Sequence, residues 1–184
     1  MILAIDVQYL GDTGFVSAVS FNNWGTKEPE DIYETSLNGI EEYEPGSFYK
    51  RELPCILKLL DDNSLFPEVI VVDGYVTLNE QGKAGLGMHL YRALEGKSKV
   101  IGVAKKAYSG IGDQSKIFRG ESKNPLYVTS IGVEIEEAKS KILEMHGGNR
   151  FPVLLKLVDR LCREKANNAM QCKGWPYVPI QACY

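Results

Sequence analysis

Two aspartates carry the strongest chemical suggestion in this chain. Asp73 closes the run Pro67-Glu68-Val69-Ile70-Val71-Val72-Asp73-Gly74, a short apolar, β-branched stretch bounded by breakers. That is the pattern of a buried central strand. Asp6 lies inside a second such stretch, Ile2-Leu3-Ala4-Ile5-Asp6-Val7-Gln8-Tyr9. There it shares a face with Ile2 and Ala4, while Leu3, Ile5, Val7 and Tyr9 take the other. Taken alone, Asp73-Gly74 is more often a turn. A carboxylate on a buried strand face, however, needs a partner or a metal. Neighbouring strands lie about 4.8 Å apart. If these two are adjacent, the carboxylates face each other at roughly 4 Å and repel by about 4 kcal/mol at an effective dielectric near 20. A divalent cation turns that penalty into a binding site. All-oxygen ligation suits Mg²⁺, with Mn²⁺ as its substitute.

The elements that must position these residues follow from periodicity. The first strand, residues 2–9, turns at Gly11-Asp12-Thr13-Gly14 into an antiparallel partner, Phe15 to Phe21. A third strand, Ile32 to Leu37, is short and half polar, so it belongs at or near an edge. Leu53, Ile56, Leu57 and Leu60 repeat at helical spacing with Pro54 near the start, which leaves Glu52 just ahead of a helix. The strand ending at Asp73 comes next, then a helix from about Ala84 to Leu94. A buried strand, Lys99 to Ala104, runs into Lys105. The segment 106–124 reads as a loop or small hairpin, and Leu126 to Thr129 as a last strand. Helices follow at about 134–146, stopped by Gly147-Gly148, and at 152–165, opened by Pro152. Residues 1–167 then form one domain and 168–184 an irregular tail. Three meandering strands followed by alternating helices and parallel strands is the order of an α/β, ribonuclease H-like mixed sheet. In an open α/β sheet, ligands sit beyond the carboxyl ends of the strands, where Asp73 stands.

At 184 residues the chain can bury one ordinary core. Its 21 basic and 24 acidic residues leave a net charge of −3, a poor credential for nucleic-acid binding. The local balance differs, because Lys97, Lys99, Lys105, Lys106, Lys116, Arg119 and Lys123 face only Asp113 and Glu121 within residues 97–123. Such a patch can contact phosphates, although alone it reads as a solvated loop. No apolar run reaches the length of a membrane span, and the first strand begins at residue 2, ahead of any signal peptide. The four cysteines and two histidines lack zinc-ligand spacing. Cys55 and Cys162 sit in apolar helix patterns as reduced core thiols, which points to the cytoplasm. Whether Cys172 and Cys183 pair is left open.

Four local patterns then combine. Tyr43-Glu44-Pro45-Gly46-Ser47-Phe48-Tyr49-Lys50-Arg51-Glu52 resembles the endonuclease V stretch Y-x-P-G-x-x-x-x-R-E. Asp73-Gly74 with Gly85-Leu86-Gly87-Met88-His89-Leu90 resembles that family's D-G followed by G-L-A-S-H-L. Val100-Ile101-Gly102-Val103-Ala104-Lys105 is similar to its I-G-V-A-K, and Asn124-Pro125-Leu126-Tyr127-Val128-Thr129 to its N-P-x-Y-V-S. A weaker echo joins Arg150-Phe151-Pro152 to Asp159.

The resemblance implies a divalent-metal-dependent endonuclease, cutting a phosphodiester 3′ to a deaminated base (deoxyinosine or inosine) in DNA or RNA, in repair or processing. It implies Asp6, Glu52, Asp73 and Asp159 as metal ligands, and Lys105 as the active-site lysine beside the first three. Tyr43 and Pro45 resemble the wedge that opens a duplex, with Gly46 closing on an extruded base. Phe48, Lys106 and Arg119 complete the expected substrate contacts. His89 is read as a packing residue. The expected partner is nucleic acid, with no membrane and a monomeric chain. The family's histidine and proline after D-G are replaced by Thr77-Leu78-Asn79-Glu80-Gln81, and its G-H pair by Ser130-Ile131-Gly132-Val133. Those departures fall on base recognition, not on the carboxylates. The competing readings are a ribonuclease H-like nuclease of other specificity and a catalytically silent binding homologue.

Overall fold

The computed structural model describes residues 1–40 and 48–172. Tyr43, Pro45 and Gly46, and the possible Cys172–Cys183 pairing in the tail, lie outside the described residues or side chains. Strands β1 (Ile2–Leu10), β2 (Thr13–Phe21) and β3 (Asp31–Asn38) form an antiparallel meander. Helix α1 (Tyr49–Asp62) carries the chain to β4 (Val69–Asp73), parallel to β1. Helix α2 (Leu86–Ala93) carries it to β5 (Lys99–Ala104), parallel to β4. Two further strands, β6 (Lys116–Ile117) and β7 (Leu126–Ile131), and helices α3 (Ile135–Glu144) and α4 (Val153–Cys172) complete the fold. The seven strands lie in the order β3-β2-β1-β4-β5-β7-β6, so β3 is indeed an edge. The architecture is ribonuclease H-like. Among the described residues, no helix is long and apolar enough to cross a membrane.

The alternation of the strands divides the core. One layer joins Ile2, Ala4, Val71, Val103 and Val128 to Leu154, Leu155 and Val158 of α4. The other joins Leu3, Ile5, Ile70 and Val72 to Cys55, Ile56 and Leu59 of α1 and Leu90 of α2. Residues of one strand thus look alternately at α4 and at α1.

One strand direction and two helix boundaries differ from the sequence expectation. Strand β7 pairs antiparallel with β5. The connection between them holds only a short 3₁₀ turn at Asp113–Ser115 and β6, and no crossover helix to bring the chain back parallel. Helix α1 starts at Tyr49, so Glu52 stands in its first turn and Pro54 lies inside it. Lys50, Arg51 and Glu52 are good helix formers, and burial of Arg51 and Glu52 extends the stripe that Cys55 and Ile56 continue. Helix α4 runs past 165 to Cys172, because Val158, Cys162, Ala166 and Met170 prolong one buried stripe at four-residue spacing. The boundary expected at 167 falls inside that helix.

Candidate metal centre

The β1–β4 pairing runs Ile2–Val69 through Ile5–Val72, and the next step along both strands is Asp6 and Asp73. Asp6 has the parity of Ile2 and Ala4 and Asp73 that of Val71, so both look toward α4. From α4 comes Asp159, one residue beyond the buried Val158. One oxygen from each of Asp6, Asp73 and Asp159 lies within 4.8 Å of the others. Val71, Phe151, Leu155 and Val158 wall the cleft that Asp6 and Asp73 line.

Lys105, just past the end of β5, reaches into the same cluster. Its Nζ donates to Asp73 Oδ2 at 2.8 Å, stands 3.8 Å from Asp159 Oδ1 and lies 4.4 Å from the centre of the Phe151 ring. The Arg150 guanidinium donates to the carbonyl oxygens of Lys105 and Pro125, which pins the end of β5. Close backbone passage here needs glycine. A Cβ on Gly102 would stand 2.6 Å from Gly74 O and 2.9 Å from Thr129 Oγ1.

The electrostatics are those of a site short of positive charge. Burial, then the neighbouring Asp73 and Asp159, push the Asp6 carboxyl up to about 7, although Val7 N–H donates to it at 2.9 Å. Burial alone pulls the Lys105 ammonium down. The charges of Asp73, Asp159 and Asp6 more than reverse this, and its pKa is raised. Arg163 also donates to Asp159 Oδ1, at 3.0 Å. Two cationic side chains against three carboxylates still leave net negative charge for a cation, and every offered donor is oxygen, as Mg²⁺ and Mn²⁺ require.

The other expected site residues fall elsewhere. Glu52 is 4% exposed on α1, which packs on the opposite layer, so it is outside the group of three. It is still at the same end of β1: burial pushes the Tyr9 hydroxyl pKa up, and the charges of Glu52 and Asp6 add to that rise. Phe48 caps α1 and meets Tyr9 edge-on at 6.2 Å. Lys106 is exposed next to the cluster, with its carbonyl accepting from Tyr75 Oη at 2.5 Å. Arg119 corrects the expectation of a phosphate contact, since it is only 5% exposed. Its guanidinium donates to the carbonyls of Asn149 (3.0 Å), Gly147 (3.2 Å) and Met145, closing the end of α3. His89 packs, its ring stacked on Tyr49 with centroids 3.6 Å apart.

Sequence reasoning missed one participant. Cys162 is fully buried one turn after Asp159. Its Sγ lies 2.9 Å from Asp6 O and 3.1 Å from Ser17 N, facing residues of the β1–β2 ladder. Burial, with the charge of Asp6, raises the thiol pKa, so the sulfur keeps its proton. Its place on the stripe that also carries Val158 marked it as a core residue, but the bonds to Asp6 and Ser17 left no signal in the sequence.

The endonuclease V family model matches residues 1–141. No curated protein sequence matches the chain. Among solved structures it is similar to endonuclease V from Bacillus subtilis, with a TM-score of 0.76 at 17% identity over 93% of this chain and 82% of that one. It is similar to Ciona intestinalis endonuclease V bound to a 24mer DNA containing an inosine, with a TM-score of 0.74 at 16% identity over 91% and 86%. Streptomyces avermitilis endonuclease V gives 0.66 at 24% identity over 92% and 82%. With the family pattern spanning most of its length and the same sheet beneath, this chain belongs to the endonuclease V family.

Proposed function

We propose that this protein is a divalent-metal-dependent endonuclease that hydrolyses a phosphodiester 3′ to deoxyinosine or inosine, in nucleic-acid repair or processing. The observation that carries the reading is the meeting of Asp6, Asp73 and Asp159, far apart in sequence, within 4.8 Å. Gathering three carboxylates has a clear electrostatic cost and no packing benefit, so a cation is the natural counterpart. The family and the inosine-containing DNA held by the Ciona relative support the substrate class.

Asp6, Asp73 and Asp159 would hold Mg²⁺, with Mn²⁺ as substitute, and Glu52 is the further carboxylate retained at the end of β1. When bound, the ion would activate water and steady the leaving oxygen. Lys105, held by Asp73, is placed to take a phosphate oxygen or orient the attacking water. Phe151, Leu155 and Val158 keep the cluster's inner side dry, which strengthens each charge interaction there. Phe48 and Lys106 are assigned as substrate contacts, and Tyr43, Pro45 and Gly46 as the wedge. We place the protein in the cytoplasm as a monomer, consistent with free, buried Cys55 and Cys162.

The test is incubation with Mg²⁺ or Mn²⁺ and matched strands that differ only in one inosine. Cutting confined to the inosine strand and abolished by chelator is expected. Equal cutting of both strands overturns the base specificity, and cutting in chelator overturns the metal requirement.

A further inference from the structure

We infer that Cys162 is a positioning residue for the carboxylate cluster, its thiol clipping α4 to β1 at the backbone of Asp6. The inference rests on the reading that Asp6, Asp73 and Asp159 hold a divalent cation. A buried cysteine in a helix ordinarily only fills space. This one does more. Its Sγ lies 2.9 Å from Asp6 O, where the S–H can donate, and 3.1 Å from Ser17 N, whose N–H it accepts. One donor and one acceptor are used once each, so the thiol is fully satisfied between two strands.

The location gives these bonds a consequence. Asp6 and Ser17 face each other in the β1–β2 ladder, and Asp6 carries one carboxylate of the cluster. Asp159, which carries another, lies one turn away on the same helix as Cys162 and on an adjoining face. The thiol therefore ties the backbone behind one ligand to the helix that supplies another. Asp73, on β4, is fixed to β1 independently by the parallel ladder. Of the three carboxylates, Asp159 alone arrives from outside the sheet, and Cys162, three residues on, is a polar tie from its helix to β1. Groups that orient ligands from behind commonly change metal affinity by about 10–100-fold when removed.

The experiment is Mn²⁺ titration of the full-length protein without substrate, followed by calorimetry or by the signal of free Mn²⁺. Cys162→Ala removes both bonds and should weaken Mn²⁺ by about tenfold. Cys162→Ser keeps a donor and an acceptor and should stay within about threefold of the unaltered protein, a rescue that packing alone does not predict. Cys162→Val, which fills the volume with no donor, should behave as the alanine variant and carries the test if alanine folds poorly. Ile142→Val, a core change on α3, serves as the stability control and should lower Tm with Mn²⁺ affinity unchanged. Folded alanine and valine variants that bind Mn²⁺ as the unaltered protein does would overturn the proposal, as would a serine variant as weak as alanine. If the unaltered protein binds no Mn²⁺, the metal reading itself falls and takes the proposal with it, an outcome distinct from the others.

Discussion

The carboxyl ends of β1, β4 and β5 and the segment 97–123 both present charged side chains, and they dispose of them in opposite ways. At the strand ends, Asp6, Asp73 and Asp159 gather around Lys105, with Arg163 on Asp159 at 3.0 Å as the other cation. Along the segment, three of the lysines meet a nearby carboxylate. Lys97 meets Glu95 at 2.7 Å, Lys99 meets Glu68 at 3.1 Å and Lys116 meets Asp113 at 2.7 Å, while Arg119 is spent on carbonyls. The difference comes from what fixes the neighbours. Sheet register forces Asp6 and Asp73 together whatever their charge, whereas a loop lysine can turn to the nearest carboxylate. Exposed pairs of the latter kind are worth about 0–1 kcal/mol and can be exchanged for a phosphate. The bonds of Arg119 cannot.

The largest expected effect tests the first half of that contrast. Asp73→Asn should lower turnover on an inosine strand by at least about 10³-fold, since metal-assisted charge stabilisation is worth several kcal/mol. Binding of the same strand, measured in chelator, should stay within about threefold, because no metal-dependent contact is made there. Glu52→Gln should cost less, about 10²-fold, the low end for a group that assists proton transfer, and should leave Mn²⁺ affinity nearly unchanged because Glu52 is outside the group of three. Glu52→Gln losing Mn²⁺ as completely as Asp73→Asn would place Glu52 among the first ligands and redraw the site.

Arg119 tests the second half. Arg119→Ala would leave the buried carbonyl of Met145 and the partly exposed carbonyls of Gly147 and Asn149 without their donor, and should destabilise the fold by about 1–3 kcal/mol, read as a shift in denaturant midpoint at constant slope. The salt dependence of nucleic-acid affinity should not move. A slope that falls by a full phosphate contact would return Arg119 to the interface.

These two outcomes also mark what the sequence could and could not say. Asp6 and Asp73 were legible because a strand's period of two fixes both the face and the neighbour of each residue. The sheet order was legible because short meander turns and helix crossovers leave few alternatives. Arg119 was not, because a window of seven basic residues counts charge without showing which of them the end of α3 would claim. Cys162 was hidden for a related reason: its two bonds join it to Asp6 and Ser17 across the whole length of the chain, and no local pattern encodes that. Asp159 fell between the cases. Its helix was plain, but the face it shows to β1 depends on how α4 lies across the sheet. The antiparallel β7 was missed because the segment after β5 gave no sign that it lacked a crossover helix.

The cluster should also be visible in stability against pH. The Asp6 carboxyl is raised from 3.8 to about 7, so the folded state holds its proton more tightly than the unfolded chain does. Its favourable contribution is therefore complete below pH 4 and is lost as pH rises through about 7. In chelator, Tm should decline across that window. Mn²⁺ relieves the same repulsion and binds only the ionised form, so the rise in Tm on adding it should be larger at pH 8 than at pH 5, by a few degrees or on the order of 1 kcal/mol. An Mn²⁺ effect that is independent of pH would mean that the ion binds away from Asp6.

The smallest effect concerns Lys106, which stands at the join between the two regions. It is exposed one residue beyond Lys105, and its carbonyl is held by Tyr75, so the backbone that aims it is fixed while its side chain is not part of the carboxylate cluster. If Lys106 meets a phosphate, Lys106→Ala should reduce the slope of log affinity against log salt by about 0.9 on duplex, or about 0.7 on a single strand, equally for strands with and without inosine. The loss is electrostatic and blind to sequence, so discrimination between the two strands should be untouched. A variant that kept the slope but lost discrimination would make Lys106 a reader of the base, and would move part of the recognition surface from the stretch before α1 to the segment after β5.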